Sequence, residues 1–207
     1  MTKVKNIIFD LGNVLYDIDF TKMYESFMAL GIPNFETYFT LNHSNPLFFE
    51  LEKGQCTKEQ FFDGFRKIAP VALSNEQITT AWNSLLIGYR KAAINWILEN
   101  DRKYDIYLFS NTNQLHFDHF IPEFEREVAD VRFESIFKKA YFSHQLGMRK
   151  PDPASFAQII ENESLIAEET LFIDDNEPNI KGAALVGMQT LHLKEGMKVH
   201  QCIHDFL

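Results

Sequence analysis

The stretch VKNIIFDLGNVLYDID, residues 4–19, decides how the chain is read. Val4, Ile7, Ile8 and Phe9 form a short apolar run with β-branched residues, the pattern of a strand buried on both faces. The run stops at a carboxylate, Asp10, followed by Gly12 and Asn13, which favour a sharp turn. Open α/β sheets bind ligands outside the carboxyl ends of their strands, where such an acid would stand. An Asp that merely caps a turn or helix would look the same locally. The choice falls to the rest of the chain.

Beyond this strand, residues 20–90 change character. MYESFMALGI, PLFFELEKGQ, KEQFFDGFRKIA and NEQITTAWNSLLIG space their apolar residues as helices do, and Gly, Pro, Asn and Ser divide them. Ser74 with Gln77 reads as a capping box. Phe20, Phe27, Phe35, Phe39, Phe48, Phe49, Phe61, Phe62 and Phe65 all fall here, most expected in a core and one or two facing a ligand. The reading is a small helical cap, residues 17–88, inserted after the first strand of a core domain formed by residues 1–16 and 89–207.

From residue 91 strands and helices alternate. KAAINWILEND reads as a helix and DIYLFS, 105–110, as a buried strand ending at Ser110-Asn111. NQLHFDHFI begins a further helix, and a short strand lies near residues 140–142. LGMRKPDPASF carries Lys150 in a loop, with Asp152-Pro153 as N-cap and first residue of the next helix. ETLFIDDN gives a strand over 170–173 that ends at Asp174-Asp175; a helix closed by Gly187 and a last strand, MQTLHL, follow. The pattern predicts a doubly wound α/β fold with a mainly parallel, Rossmann-like sheet.

The totals agree with one such domain carrying an inserted subdomain. The chain has 207 residues, 45% of them hydrophobic, enough for a sizeable core. A formal net charge of −9 argues against nucleic acid or an anionic membrane as partner. A small anionic substrate stays open where a metal and one Lys are focused locally. Cys56 and Cys202 lack metal-type spacing and point to reduced thiols and a cytoplasmic location. No signal peptide is read at MTKVK, and no run approaches the roughly 20 apolar residues of a membrane span. No feature sets an oligomeric state.

Asp10, Ser110-Asn111, Lys150 and Asp174-Asp175 stand just beyond strand ends or in the loop that follows one, and parallel strands bring such ends to one edge. Three carboxylates together repel and hold protons unless a cation neutralises them. Oxygen donors without Cys or His suit Mg²⁺, which commonly takes one or two carboxylates plus substrate phosphate. A Lys and a Ser-Asn turn supply charge and donors for phosphate oxygens. Attack on phosphorus then falls to Asp10, forming an aspartyl-phosphate.

FDLGNVL at 9–15, LFSNTN at 108–113, LGMRKPD at 146–152 and FIDDN at 172–176 resemble the four ordered motifs of the haloacid dehalogenase superfamily. SNTNQLH and LGMRKPD further resemble its bacterial α-D-glucose-1-phosphate phosphatases. The resemblance implies a Mg²⁺-dependent phosphatase acting on a small phosphorylated metabolite, such as a sugar phosphate. It implies Asp10 as nucleophile and metal ligand, and Gly12 as a backbone-carbonyl ligand. It implies Ser110 as the phosphate-binding hydroxyl with Asn111 assisting, and Lys150 as the group that balances the transferring charge. Asp175 is then the direct metal ligand, Asp174 beside it or acting through water, and Asn179 stands where many members carry another Asp.

One departure matters. Most phosphatases of the superfamily carry an Asp general acid two positions after the nucleophile, where this chain has Gly12. Such an acid contributes about 10²–10⁴-fold. Its absence fits a slow phosphatase, a substitute group or metal-bound water, or a leaving group that needs little protonation, as an anomeric oxygen does. Asp17, Asp19, Glu52 and His116 are the candidate substitutes, with surface or capping roles as the simpler expectation. His116 and His119, three apart, are read as surface residues rather than a metal pair, and Trp82 and Trp96 as core. A metal-independent dehalogenase would leave Asp174-Asp175 without a counter-charge, and a non-catalytic regulatory protein would leave the rest of the set without use.

Overall fold

The computed structural model describes residues 3–40, 45–128 and 131–207. The strands along them are β1 (Asn6–Phe9), β2 (Tyr16–Ile18), β3 (Leu86–Tyr89), β4 (Asp105–Ser110), β5 (Lys139–Phe142), β6 (Thr170–Asp174) and β7 (Gln189–His192). Five form one sheet in the order β5-β4-β1-β6-β7, every pairing parallel. The first strand therefore lies at the centre, flanked by the two strands that end in Ser110 and Asp174.

Between β2 and β3 come four helices: α1 (Phe20–Ala29), α2 (Pro46–Glu52), α3 (Lys58–Ile68) and α4 (Asn75–Asn83). Asp19 caps α1 by accepting from the Thr21 N–H. Ser74 and Gln77 form a reciprocal capping box on α4, and Thr57 with Gln60 forms a second one on α3. Phe27, Phe35, Phe39, Phe48, Phe61, Phe62 and Phe65 are buried around Trp82, with Phe27 and Phe35 stacked at 3.9 Å between centroids. Phe20 and Phe49 are only half-buried, and both face the neighbouring domain.

One expected helix is shorter than its apolar spacing suggests. NEQITTAWNSLLIG stops at Asn83, and Leu86–Tyr89 instead pairs antiparallel with Tyr16–Ile18. The strand forms because its ladder partner is supplied about 70 residues away in sequence, at a distance local periodicity does not sense. The two strands make a ribbon through which the chain enters and leaves the helical unit. We propose that the cap comprises residues 17–88, its boundary with the core running through this ribbon.

The remaining helices are α5 (Lys91–Asn100), α6 (Gln114–Glu127), α7 (Ser143–Leu146), α8 (Pro153–Glu163), α9 (Glu177–Leu185) and α10 (Val199–Cys202). Ile7, Phe9, Ile106, Leu108, Leu171 and Ile173 pack on one face of the sheet with Ile94 and Ile97 of α5 and Phe120 and Phe124 of α6. Ile8, Tyr107, Phe109 and Phe172 pack on the other with Phe156 and Ile159 of α8 and Ala183 of α9. Successive strand residues point to opposite faces, so covering both makes the strands continuous apolar runs. Among the described residues no helix is long and apolar enough to cross a membrane.

Two of the contacts that seat the helical unit on the core are close approaches to the core backbone. The Asn83 side chain donates to the Leu115 carbonyl in α6 at 3.2 Å. Just after α2, Gly54 has φ +63°, and a Cβ there would lie 2.0 Å from the His144 carbonyl oxygen in α7. Both the backbone conformation and the close approach require glycine. Gly54→Ala is expected to lower stability by roughly 2 kcal/mol or more, since left-handed strain and steric overlap add. Gly147→Ala, at φ +75° with nothing within 4 Å of its Cβ, isolates the strain alone and should cost about 1 kcal/mol. Urea denaturation of both variants checks the difference; equal losses would remove the seating role of Gly54.

Candidate active site

Asp10 follows the last residue of β1, Ser110 ends β4 and Asp174 ends β6. Because β4, β1 and β6 are neighbours in register, these groups stand side by side at one edge. Lys150 comes from the loop after α7. Its ammonium lies 2.6 Å from Asp10 Oδ1, 2.7 Å from Asp174 Oδ2 and 2.8 Å from the Phe109 carbonyl. Three protons meet three acceptors, so this cation, only 1% exposed, is fully hydrogen-bonded. Burial alone pulls its pKa down, but Asp10 and Asp174 outweigh that, and it is held above the usual Lys value.

Two asparagines hold the pieces in place. The Asn111 side chain donates to the Lys150 carbonyl and accepts from the Lys150 N–H, both at 2.9 Å. This bracket fixes the Lys150 main chain, so any help from Asn111 toward an anion is left to its own main-chain N–H. Asn179 donates to both Asp174 oxygens at 3.1 and 3.0 Å, and the Asn176 N–H donates to Oδ1 at 2.8 Å. Asp174 is fully buried with its acceptors filled, whereas Asp175 is half-buried and accepts from Asn13 Nδ2 at 3.0 Å. Asn13 and Asn176 were not legible as site residues, although each is adjacent to one that was; Asn111 was legible, but as a donor to an anion and not as the bracket on Lys150.

Asp10, Asp174 and Asp175 each offer an oxygen within 4.8 Å of the others. One Lys does not neutralise three carboxylates. Burial raises the Asp10 pKa, Lys150 lowers it, Asp174 and Asp175 raise it further, and the result is pushed up to about 8. Burial likewise raises Asp175, Asn13 opposes it and Asp174 adds to it. A hard divalent cation fits this donor set, since it would return the acids to their charged forms. With Asp174 saturated by donors, Asp10 and Asp175 are the better direct ligands.

The position two after Asp10 is open to a side chain. Gly12 has no positive φ; the left-handed residue of the turn is Asn13, at φ 54°. A Cβ on Gly12 would lie 3.1 Å from the end of the Ile18 side chain and 4.0 Å from Asp10 Oδ2. Of the candidate substitutes, Asp17 pairs with Arg90 at 2.6 Å and Asp19 caps α1. Glu52 and His116 are different: both line a cavity beneath the helical unit that also touches Gly12, Ser110 and Asn111. Asp10, Lys150 and Asp175 line an adjoining cavity that shares Gly12 and Asn111.

His116 and His119 do not converge. His116 stacks on Trp82 and faces Asn83, while His119 lines a separate groove with Lys58 and Glu76. Against the expectation of a surface residue, His116 is buried, because α6 carries it under α4. Trp82 and Trp96 are both core. Arg149, which sequence reasoning passed over beside Lys150, reaches the helical unit at Glu52 and Phe49.

The sequence profile of the haloacid dehalogenase-like hydrolases matches residues 4–187. A D-ribitol-5-phosphate phosphatase of Bacteroides thetaiotaomicron is 32% identical over 194 residues, covering 93% of each chain. The crystal structure of a wild-type haloacid dehalogenase family enzyme of that organism, in complex with magnesium and inorganic phosphate, is 34% identical. It covers 99% of this chain and 100% of its own, with a TM-score of 0.83. A haloacid dehalogenase-like hydrolase of Porphyromonas gingivalis is 28% identical, covers 99% and 98%, and has a TM-score of 0.89.

Removing the central cation exposes the charge balance directly. Lys150→Met keeps the stem but leaves Asp10 and Asp174 buried without it, a loss of about 3–5 kcal/mol by analogy with broken buried pairs. Chemical denaturation in a chelating buffer measures it. A Lys150→Met protein as stable as the parent would show that the ammonium is not what neutralises this cluster.

Proposed function

The chain belongs to the haloacid dehalogenase-like hydrolase family and is a phosphoric monoester hydrolase; from that premise we propose that it is a Mg²⁺-dependent phosphatase acting through Asp10 on a small phosphorylated sugar or polyol. The observation that carries the reading is the Lys150 ammonium fixed between Asp10 and Asp174, with Asp175 alongside. Lys150 holds Asp10 Oδ1, which leaves Oδ2 to attack phosphorus while the bond to the leaving oxygen breaks. Water then attacks the aspartyl-phosphate and returns the carboxylate with free phosphate. Ser110 and the main chain after β4 orient the phosphoryl oxygens, and Lys150 balances their charge. Asp10, Asp175 and the Gly12 carbonyl would hold Mg²⁺, anchored through Asp174, and the ion would supply charge stabilisation at the transferring group.

Sugar 1-phosphates follow from the motif resemblance and the missing acid, and pentitol 5-phosphates from the name of the B. thetaiotaomicron relative. Both belong in the first substrate panel. A small phosphorylated metabolite as the partner agrees with the acidic net charge, and we place the reaction in the cytoplasm.

Phosphate release is expected to need Mg²⁺ and to stop reversibly on chelation, while Asp10→Asn should lower turnover by orders of magnitude and stay folded. Full activity in chelator would reject the metal-assisted route, and near-normal turnover of Asp10→Asn would transfer the attack to water. Gly12→Asp supplies the absent acid, and its Cβ would crowd only the end of the Ile18 side chain. Its rates should rise most on esters with poor leaving groups, within the 10²–10⁴-fold range typical of general acids. A uniform change across leaving groups would show that protonation is not what limits the parent enzyme.

A further inference from the structure

Resting on the phosphatase reading, the cavity beneath the helical unit identifies the other half of the substrate. It adjoins the Asp10 cavity through Gly12 and Asn111, so a phosphoryl group at Asp10 directs its leaving group here. Phe20 and Phe39 give apolar walls, and no Lys or Arg lines the cavity. Beyond Ser110 and Asn111 its polar lining is Thr112, Glu52 from α2 and His116 from α6, with the Tyr16 hydroxyl donated to Glu123.

The tautomer of His116 follows from its neighbours. The Leu115 carbonyl only accepts, so the Asn83 amide must turn its NH₂ toward it, at 3.2 Å. The Asn83 carbonyl oxygen therefore faces His116 Nδ1 at 2.9 Å, and Nδ1 must carry the proton. Nε2 is left with a lone pair and no hydrogen-bond partner among the described residues, on a ring that lines this cavity. Burial lowers the ring's pKa to about 3, which keeps it neutral and makes it an acceptor rather than an acid.

Glu52 is 7% exposed, and its Oε2 lies 2.8 Å from Arg149 Nε. Oε2 is sealed from solvent beside that guanidinium, whereas Oε1, on a residue that lines the cavity, makes no hydrogen bond among the described residues. The cavity thus offers two acceptors short of donors. Hydroxyl groups are the donors that match both without bringing charge, and an anionic group would meet Glu52 with no cation lining the cavity.

We propose that this cavity takes a neutral, polyhydroxylated leaving group whose hydroxyls donate to the Glu52 carboxylate and to His116 Nε2. The test compares kcat/KM on three esters: a pentitol 5-phosphate, the pentonate 5-phosphate that replaces its far CH₂OH by a carboxylate, and p-nitrophenyl phosphate, which has no hydroxyls. The parent enzyme should prefer the pentitol ester to the pentonate ester by roughly tenfold or more, as sites built for hydroxyl donors do. Glu52→Gln should narrow that preference. His116→Phe, which keeps the stack on Trp82, should lower the ratio of pentitol ester to p-nitrophenyl phosphate by roughly tenfold or more. Comparable parent rates on the pentitol and pentonate esters, or ratios unmoved in both variants, would overturn the assignment while leaving the phosphatase reading standing. No phosphate release by the parent from any of the three would overturn both.

Discussion

A buried ammonium with three protons and three acceptors governs this molecule. Lys150 joins the ends of β1 and β6 and the carbonyl of Phe109 in β4, tying three adjacent strands at their carboxyl edge. Placing a charge there is tolerable only with complete hydrogen bonding, because an unpaired ion in the interior costs several kcal/mol. The surrounding residues enforce it: Asn111 holds the Lys150 backbone, and Asn179 with the Asn176 N–H fills Asp174. What is left is a cluster with more acid than base, a donor set that a hard divalent cation fits. The sheet order puts the cluster at the ends of its three central strands.

The helical unit acts on this centre from above. It contributes Glu52 and Phe20 to the cavity that adjoins Asp10, and its α4 sets the tautomer of His116 through Asn83. The cavity is thus lined from both units, while the acid cluster with Lys150 stands on the strand ends and the loop of the core domain alone.

Much of this was legible in the sequence because acids and a lysine at the ends of apolar runs leave a local trace. Asp10, Ser110, Lys150 and Asp174-Asp175 were readable one by one, and the parallel sheet brings them together. Three features were not. The β2–β3 ribbon depends on a partner strand far along the chain, so 84–88 reads as the tail of a helix. The positive φ of the first turn belongs to Asn13, and residue type alone does not choose between it and Gly12. The pairings of Glu52 with Arg149 and of His116 with Asn83 join the two units, and no periodicity within either one points to them.

Arg149 and Lys150 are neighbours in sequence that serve opposite sides of the site. One lies over the Phe49 ring and against Glu52 in the helical unit; the other points into the acid cluster. Only one Cα-to-Cα step, about 3.8 Å, separates them. A rotation that lifts the helical unit must either release Arg149 or pull on the peptide next to Lys150, which the Asn111 bracket resists. The two residues thus tie the seat of the helical unit to the acid cluster through a single peptide bond, with Asn111 bracing the Lys150 side of it.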